Sequence, residues 1–305
     1  MKIISGSSNL ELARGIAEKF GTDLVDVEID SFANGEKRVW VKGQVRGENV
    51  VLIQSLSRPT DEHIIELLLL VDAVERLGAR HINLVMPWMG YSLQDKVFRE
   101  GEPIATKVIA NLISNTYIKR AFLLDLHNSS TPGFFSIPIQ HVSAMSMFVE
   151  FIKQTFSLTN LVVASPDFGG LKRARVFAEK LGVELVNIDK HRDLNTGEVR
   201  AQDLTGDVHG KIVVVFDDLI NSGGTVVHCA ELLKQRGAQQ VVFCATHGIF
   251  AEPGLTQICQ SQVDQVVVTN SIPCPPSAQP DVTFSNIQYL DISQLFVDAL
   301  RPWLE

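Results

Sequence analysis

The sequence predicts an α/β protein of two tandem units, each a mostly parallel sheet covered by helices. Three observations carry this. The chain has 305 residues, against roughly 100–200 for one domain. Short apolar, β-branched runs alternate with amphipathic helical stretches along its length. Those runs are continuously apolar rather than alternating, the mark of parallel strands buried on both faces. Hydrophobic residues make up 45%, which supports a sizeable core and excludes a disordered chain.

Val50-Val51-Leu52-Ile53 reads as a buried strand. Pro59 and Asp61 open a helix through Ile64, Leu67, Leu68, Val71 and Val74, and Gly78 closes it. Residues 81–86 form the next strand, stopped by Pro87; a helix over 104–113 and a strand over 121–126 follow. The rhythm then repeats, with strands at 161–164, 185–188, 211–216, 240–245 and 263–269 and helices over 170–181 and 225–236. The units meet within 144–158, giving domains 1–145 and 146–305, and no low-complexity linker separates them.

The formal net charge of -8 excludes a general nucleic-acid binder, which needs a basic face. Nucleotide binding needs only a few local cations and backbone N–H groups. Cys229, Cys244, Cys259 and Cys274 show no CxxC spacing, so neither a zinc site nor a disulfide framework is expected. Residues 1–6 lack the apolar run of a secretory leader, and the aliphatic runs at 64–71 and 213–216 are too short to span a bilayer. A cytoplasmic protein with no membrane partner is the expectation.

In open α/β sheets ligands bind beyond the carboxyl ends of strands. The run Val213-Val214-Val215-Phe216-Asp217-Asp218-Leu219-Ile220-Asn221-Ser222-Gly223-Gly224-Thr225 delivers two acids, a polar glycine turn and a helix start in succession. Gly223 and Gly224 let backbone N–H groups approach an anion, Ser222 and Thr225 add hydroxyls, and the helix N-terminus favours negative charge. The pattern fits a sugar-phosphate cradle in which Asp217 and Asp218 meet ribose hydroxyls, directly or through a metal ion. A plain strand-to-helix turn capped by Asn221 or Ser222 is the alternative. No GxxxxGK[ST] and no GxGxxG after a strand occurs, which removes the Walker-type and Rossmann readings.

The string 217–225 resembles the phosphoribosyl-binding loop of phosphoribosyltransferases and ribose-phosphate diphosphokinases, and segments along nearly the whole chain resemble the diphosphokinases in order. Phe32-Ala33-Asn34-Gly35-Glu36 resembles their ATP loop, and Pro87-Trp88-Met89-Gly90-Tyr91-Ser92-Leu93-Gln94-Asp95-Lys96 their second nucleotide segment. Asp125-Leu126-His127 resembles the metal-histidine segment, Ser165-Pro166-Asp167-Phe168-Gly169-Gly170-Leu171-Lys172-Arg173-Ala174 another hallmark, and Asp189-Lys190-His191-Arg192 the catalytic segment. Thr246-His247-Gly248-Ile249-Phe250 and Thr269-Asn270-Ser271-Ile272-Pro273 complete the series.

The resemblance implies two phosphoribosyltransferase-like domains, with the last helix returning to the first. It implies diphosphoryl transfer from Mg-ATP to ribose 5-phosphate. Lys190 and Arg192 would be the catalytic cations, before a polar stretch over 193–206 that reads as a mobile lid. ATP would meet Phe32, Asn34, Gly35, Glu36, Leu93, Gln94, Asp95 and Lys96. Ribose 5-phosphate would meet Asp217, Asp218, Asn221, Ser222, Gly223, Gly224 and Thr225, and Mg²⁺ would meet His127 and Asp167. A homo-oligomer is implied, the ATP loop serving a neighbouring subunit.

The chain departs from the family pattern at Leu93, where the family has Arg, at Asn34 for Asp, at Asn221-Ser222 for Asp-Thr, and at Asn128-Ser129-Ser130. Leu93 supplies neither charge nor donor to a triphosphate. It supports a second reading, a catalytically silent nucleotide-binding partner. A phosphoribosyltransferase, the third, leaves the N-terminal nucleotide segments unexplained.

Overall fold

The computed structural model describes residues 1–192, 199–274 and 286–304, without the side chains of 189–192 and 199–203. The chain divides into two compact units: Met1–Ser143 with Asn270–Pro273 and Asp291–Glu305, and Ala144–Thr269 with Cys274–Leu290.

The first unit opens with β1 (Lys2–Ser5) and α1 (Leu10–Phe20). The Asn9 side chain caps α1 by accepting from Leu12 N–H, and Gly21, left-handed at φ 67°, closes it. A hairpin follows, β2 (Val27–Ser31) and β3 (Lys37–Val41), then β4 (Asn49–Ile53), α2 (Thr60–Arg76), β5 (His81–Met86), α3 (Ala105–Ser114), β6 (Ile118–Leu124) and β7 (Ile139–Val142). The sheet order is β1-β4-β5-β6-β7, all parallel, and β3 packs on α2. A lone parallel bridge joins Leu24 to Ile3. Leu52, Leu84, Leu123, Leu67 and Leu70 are fully buried in the core between the sheet and α2.

The second unit contains α4 (Met145–Thr155), β8 (Leu161–Ser165), α5 (Leu171–Leu181), β9 (Glu184–Arg192), β10 (Val199–Thr205), β11 (Ile212–Ile220), α6 (Gly224–Gln235), β12 (Gln240–Gly248), α7 (Gly254–Cys259), β13 (Gln265–Thr269) and β14 (Ile287–Leu290). Its sheet order is β10-β9-β8-β11-β12-β13-β14, parallel except for the β9–β10 pair. The last helix, α8 (Ser293–Leu300), belongs to the first unit and packs on α1 and β7.

Both units trace one path: a strand, a helix, a hairpin beside that strand, and then strands added on its other side. In the second unit the hairpin is β9–β10. In the first it is β2–β3, tied to β1 by the Leu24 bridge.

Two strands run further than the sequence pattern indicates. β11 continues through Asp217 and Asp218 to Ile220, because β12 keeps pairing with it as far as Ile220↔Gly248. β9 continues past Ile188 to Arg192, because β10 pairs with it antiparallel. Lys190 and Arg192 therefore lie within a strand and not after one; their partners are Ala201 and Val199. Within the stretch 193–206 read as a lid, Val199–Thr205 form β10, and 193–198 lie outside the described residues.

Candidate active site

The site in the second unit forms where β11 loses one neighbour. Pairing with β8 ends at Val215↔Ala164, while pairing with β12 runs five residues on, to Ile220. At this point the strand order reverses, β9 lying beyond β8 and β12 beyond β11. This is the crevice at which doubly wound sheets take ligands. Phe216 anchors the strand below the crevice. It stacks on Phe177 of α5 with centroids 4.1 Å apart and meets the edge of Phe148 of α4 at 5.6 Å.

Asp217 and Asp218 follow, with side chains only 16% and 4% exposed. Arg173, in the first turn of α5, reaches both. Its Nη1 donates to Asp217 Oδ1 at 3.0 Å and to Asp218 Oδ1 at 2.9 Å. Asp218 N–H also donates to Asp217 Oδ1 at 2.9 Å. Burial first, then the adjacent Asp218 carboxyl, pushes the Asp217 pKa up to about 8, with Arg173 pulling against them.

The glycine turn is braced from behind. Gly223 has φ 78°, and a Cβ there would stand 2.9 Å from the Ile258 side chain and 3.0 Å from the Gly254 carbonyl. A Cβ on Gly254 would stand 2.4 Å from the Ser222 carbonyl, and Ala251 N–H donates to the Asn221 carbonyl at 2.8 Å. Only glycine satisfies both the left-handed backbone and this approach. Asn221, Ser222 and Gly224 are exposed, and Gly224 opens α6. Neither Asn221 nor Ser222 caps it; Gly223 stands at that position.

Asp167 lies two residues past β8, in the turn that leads to α5. Its Oδ1 accepts from Gly170 N–H at 2.9 Å, and Ser165 Oγ donates to its carbonyl at 2.7 Å. Asp167 thereby holds the turn, and Gly170 stands at the N-cap position of α5. A Cβ at Gly170 would lie 3.6 Å from Asp217 Oδ1, so this turn runs beside the acid pair.

The other expected site residues lie in the first unit. Phe32–Glu36 form the exposed tip of the β2–β3 hairpin, with Gly35 at φ 88°, Asn34 Oδ1 accepting from Glu36 N–H at 3.2 Å, and the Phe32 ring 53% exposed. In the second segment Leu93 is half-buried, Gln94 and Lys96 are exposed, and Lys96 Nζ sits 5.0 Å over the Phe98 ring. Asn128 Nδ2 donates to Asp95 Oδ2, tying the turn after His127 to this segment. His127 is exposed. The non-glycine residues with positive φ are Tyr91 (64°), Asp125 (32°) and Phe250 (49°), and all three fall in segments singled out from the sequence. Such strain concentrates at functional sites.

Carboxylates and an exposed imidazole suit a hard divalent cation that keeps most of its waters. Among the described residues no cluster of three or more His, Cys, Asp or Glu groups exists. A cation held by one or two protein donors plus substrate oxygens fits this donor set. Sequence reading missed Arg173, Asn128 and Gly254 as site residues. For Arg173 the signal was available: a basic residue in the first turn of a helix, where the dipole disfavours it.

This geometry defines a class: a doubly wound α/β protein with an acid pair and a phosphate-type turn at its switch point. Residues 1–116 match the N-terminal domain of ribose phosphate pyrophosphokinase, and residues 192–304 match the phosphoribosyl synthetase-associated domain. The chain is 40% identical to the ribose-phosphate pyrophosphokinase of Fusobacterium nucleatum, over 98% of this chain and 94% of that one. It is 38% identical to that of Aquifex aeolicus, over 99% and 95%. The crystal structure of phosphoribosylpyrophosphate synthetase from Mycobacterium smegmatis superposes with a TM-score of 0.89 at 31% identity, covering 98% of this chain and 97% of that one. The chain belongs to the ribose-phosphate pyrophosphokinase family.

Proposed function

We propose that the protein transfers the diphosphoryl group of Mg-ATP to the C1 hydroxyl of ribose 5-phosphate, giving 5-phosphoribosyl 1-diphosphate and AMP. The observation that supports this most is the acid pair beside a braced glycine turn at the open end of β11, in a full-length family member. In this reading the ribose 5-phosphate hydroxyls meet Asp217 and Asp218. The phosphate lies in the turn of Asn221, Ser222, Gly223, Gly224 and Thr225, on the backbone N–H groups that open α6. The C1 oxygen bonds to the β-phosphorus, and the bond from that phosphorus to the bridging oxygen breaks. AMP leaves with that oxygen, and the hydroxyl proton is released. Little covalent chemistry falls to the protein, so positioning and charge stabilisation supply most of the acceleration. Lys190 and Arg192 serve the transferring group as fixed cations.

Mg²⁺, for which the family resemblance gives His127 in the first unit and Asp167 in the second as candidate contacts, would neutralise charge on the triphosphate. Phe32 offers its exposed face to the adenine, with Asn34, Gly35 and Glu36 behind it; Leu93, Gln94, Asp95 and Lys96 line the nucleotide. The projecting hairpin tip supports a homo-oligomer in which this loop serves a neighbouring subunit. No helix among the described residues is long and apolar enough to cross a membrane, which accords with a cytoplasmic enzyme.

The test is AMP formation from ATP and Mg²⁺ with and without ribose 5-phosphate. Ribose-dependent AMP is expected. ATP left intact in the presence of ribose 5-phosphate would refute the reading.

A further inference from the structure

We infer that Arg173 is a positioning residue of the sugar site, drawing the two adjacent acids of β11 into one cluster from the first turn of α5. The inference rests on the assignment of Asp217 and Asp218 to ribose 5-phosphate. Successive residues on a strand point to opposite faces of the sheet. Asp217 and Asp218 are successive residues of β11, yet an oxygen of each lies within hydrogen-bond distance of one nitrogen, at 3.0 and 2.9 Å. The convergence occurs where β8 no longer pairs with β11, so the backbone has room to depart from a regular pleat.

Left alone, two carboxyl groups this close and this buried repel as soon as both ionise. A guanidinium opposes that in two ways. Its charge lowers the repulsion, and its Nη1 donates to both acids at once, which fixes their direction. Arg173 is itself only 25% exposed, so solvent screens the contact weakly. Its place is set by the turn that carries Asp167 and Gly170, which runs beside Asp217. Arg173 thereby links that turn to the sugar acids.

A brace that merely pinned α5 to β11 would predict lost stability alone. A positioning role predicts a selective effect on the sugar. In Arg173→Met the KM for ribose 5-phosphate should rise by about tenfold or more while the KM for ATP stays within about twofold, since only the sugar acids lose their order. Arg173→Lys keeps the charge but not the planar guanidinium that sets the donor's direction, and should fall between wild type and Arg173→Met. The acid limb of the pH–rate profile should move to higher pH in Arg173→Met, because removing a neighbouring cation disfavours the ionised carboxyl. Calorimetric titration with ribose 5-phosphate alone should show the same loss.

Unchanged ribose 5-phosphate affinity in both variants, or equal loss for both substrates, would overturn the role. Arg173→Lys keeps the test open where Arg173→Met does not fold. Wild-type protein is run alongside. If it shows no ribose-dependent AMP, the proposed activity fails; if only the variants behave as wild type, Arg173 fails alone.

Discussion

In the first unit the strand next to β1 hands over to Gln54 and Ser55; in the second, the corresponding strand carries Asp217 and Asp218. The chain path is the same, and the chemistry at its end is opposite. Gln54 accepts from Ser8 Oγ at 2.7 Å and donates to Glu66 at 2.9 Å, and Glu66 accepts from Ser7 N–H at 2.6 Å and Ser7 Oγ at 2.7 Å. Gln54, Ser55 and Glu66 are wholly buried, and a Cβ on Gly6 would stand 2.1 Å from Gln54 Oε1. The space beside the switch strand is filled by the protein's own polar groups. In the second unit the corresponding place holds two acids gathered by Arg173, and an exposed glycine turn follows. In the proposed reading one architecture would serve in the first unit as closed scaffold, with nucleotide segments at its edges, and in the second as the sugar-phosphate site.

The largest effect that would sharpen this contrast comes from the catalytic segment of the second unit. Lys190→Ala should lower turnover by about a hundredfold or more with the fold intact, because charge on the transferring phosphoryl oxygens loses a fixed cation. Near-normal turnover would remove Lys190 from that role. Next comes the sealed network of the first unit. Glu66→Ala should cost about 1–3 kcal/mol of stability, since the buried Gln54 amide loses one of its two acceptors and Ser7 loses both of its contacts to Glu66. Ribose 5-phosphate affinity should not change; a loss of affinity matching that of Asp217→Ala would break the contrast.

Leu93→Arg should tighten ATP about tenfold, a charge-assisted contact contributing roughly 1.5–3 kcal/mol. Weaker binding would instead mean a nucleotide segment rebuilt around Leu93, in which the Asn128–Asp95 bond and the Lys96–Phe98 contact take part.

The smallest effect is one of pH. The Asp217 pKa lies at about 8, above its ordinary 3.8. The folded state therefore binds a proton that the unfolded state has already released, and stability falls as pH rises between those values. Asp217→Asn should raise Tm by a few degrees near the upper end of that window and little at its lower end. An equal shift across the range would show that Asp217 is ionised throughout.

Much of this was legible in the sequence. The buried strands announce themselves as continuous apolar runs, and the acid-glycine string marks the proposed site by its residue order alone. Other elements were not legible. β2 and β3 interleave Val27, Ile29, Val39 and Val41 with polar residues such as Glu28, Asp30 and Arg38, and β10 is largely polar in sequence, so no continuous apolar run marks them. The extension of β11 through Asp217 and Asp218 depends on pairing with β12, a tertiary effect that two acids in a row argue against locally. The Arg173 contact crosses 44 and 45 residues of chain, a separation no local pattern encodes. The sealing of the first unit hangs on Glu66, which sits on α2 amid an apolar face and reads from sequence as a surface charge.

The central claim is that only the second copy of this chain path takes the sugar phosphate. Calorimetric titration of ribose 5-phosphate into wild type, Asp217→Ala and Ser55→Ala, all at fixed Mg²⁺, tests it directly. One site per chain is predicted, lost in Asp217→Ala and kept in Ser55→Ala. Two sites per chain, or a site that survives in Asp217→Ala and vanishes in Ser55→Ala, would contradict the account.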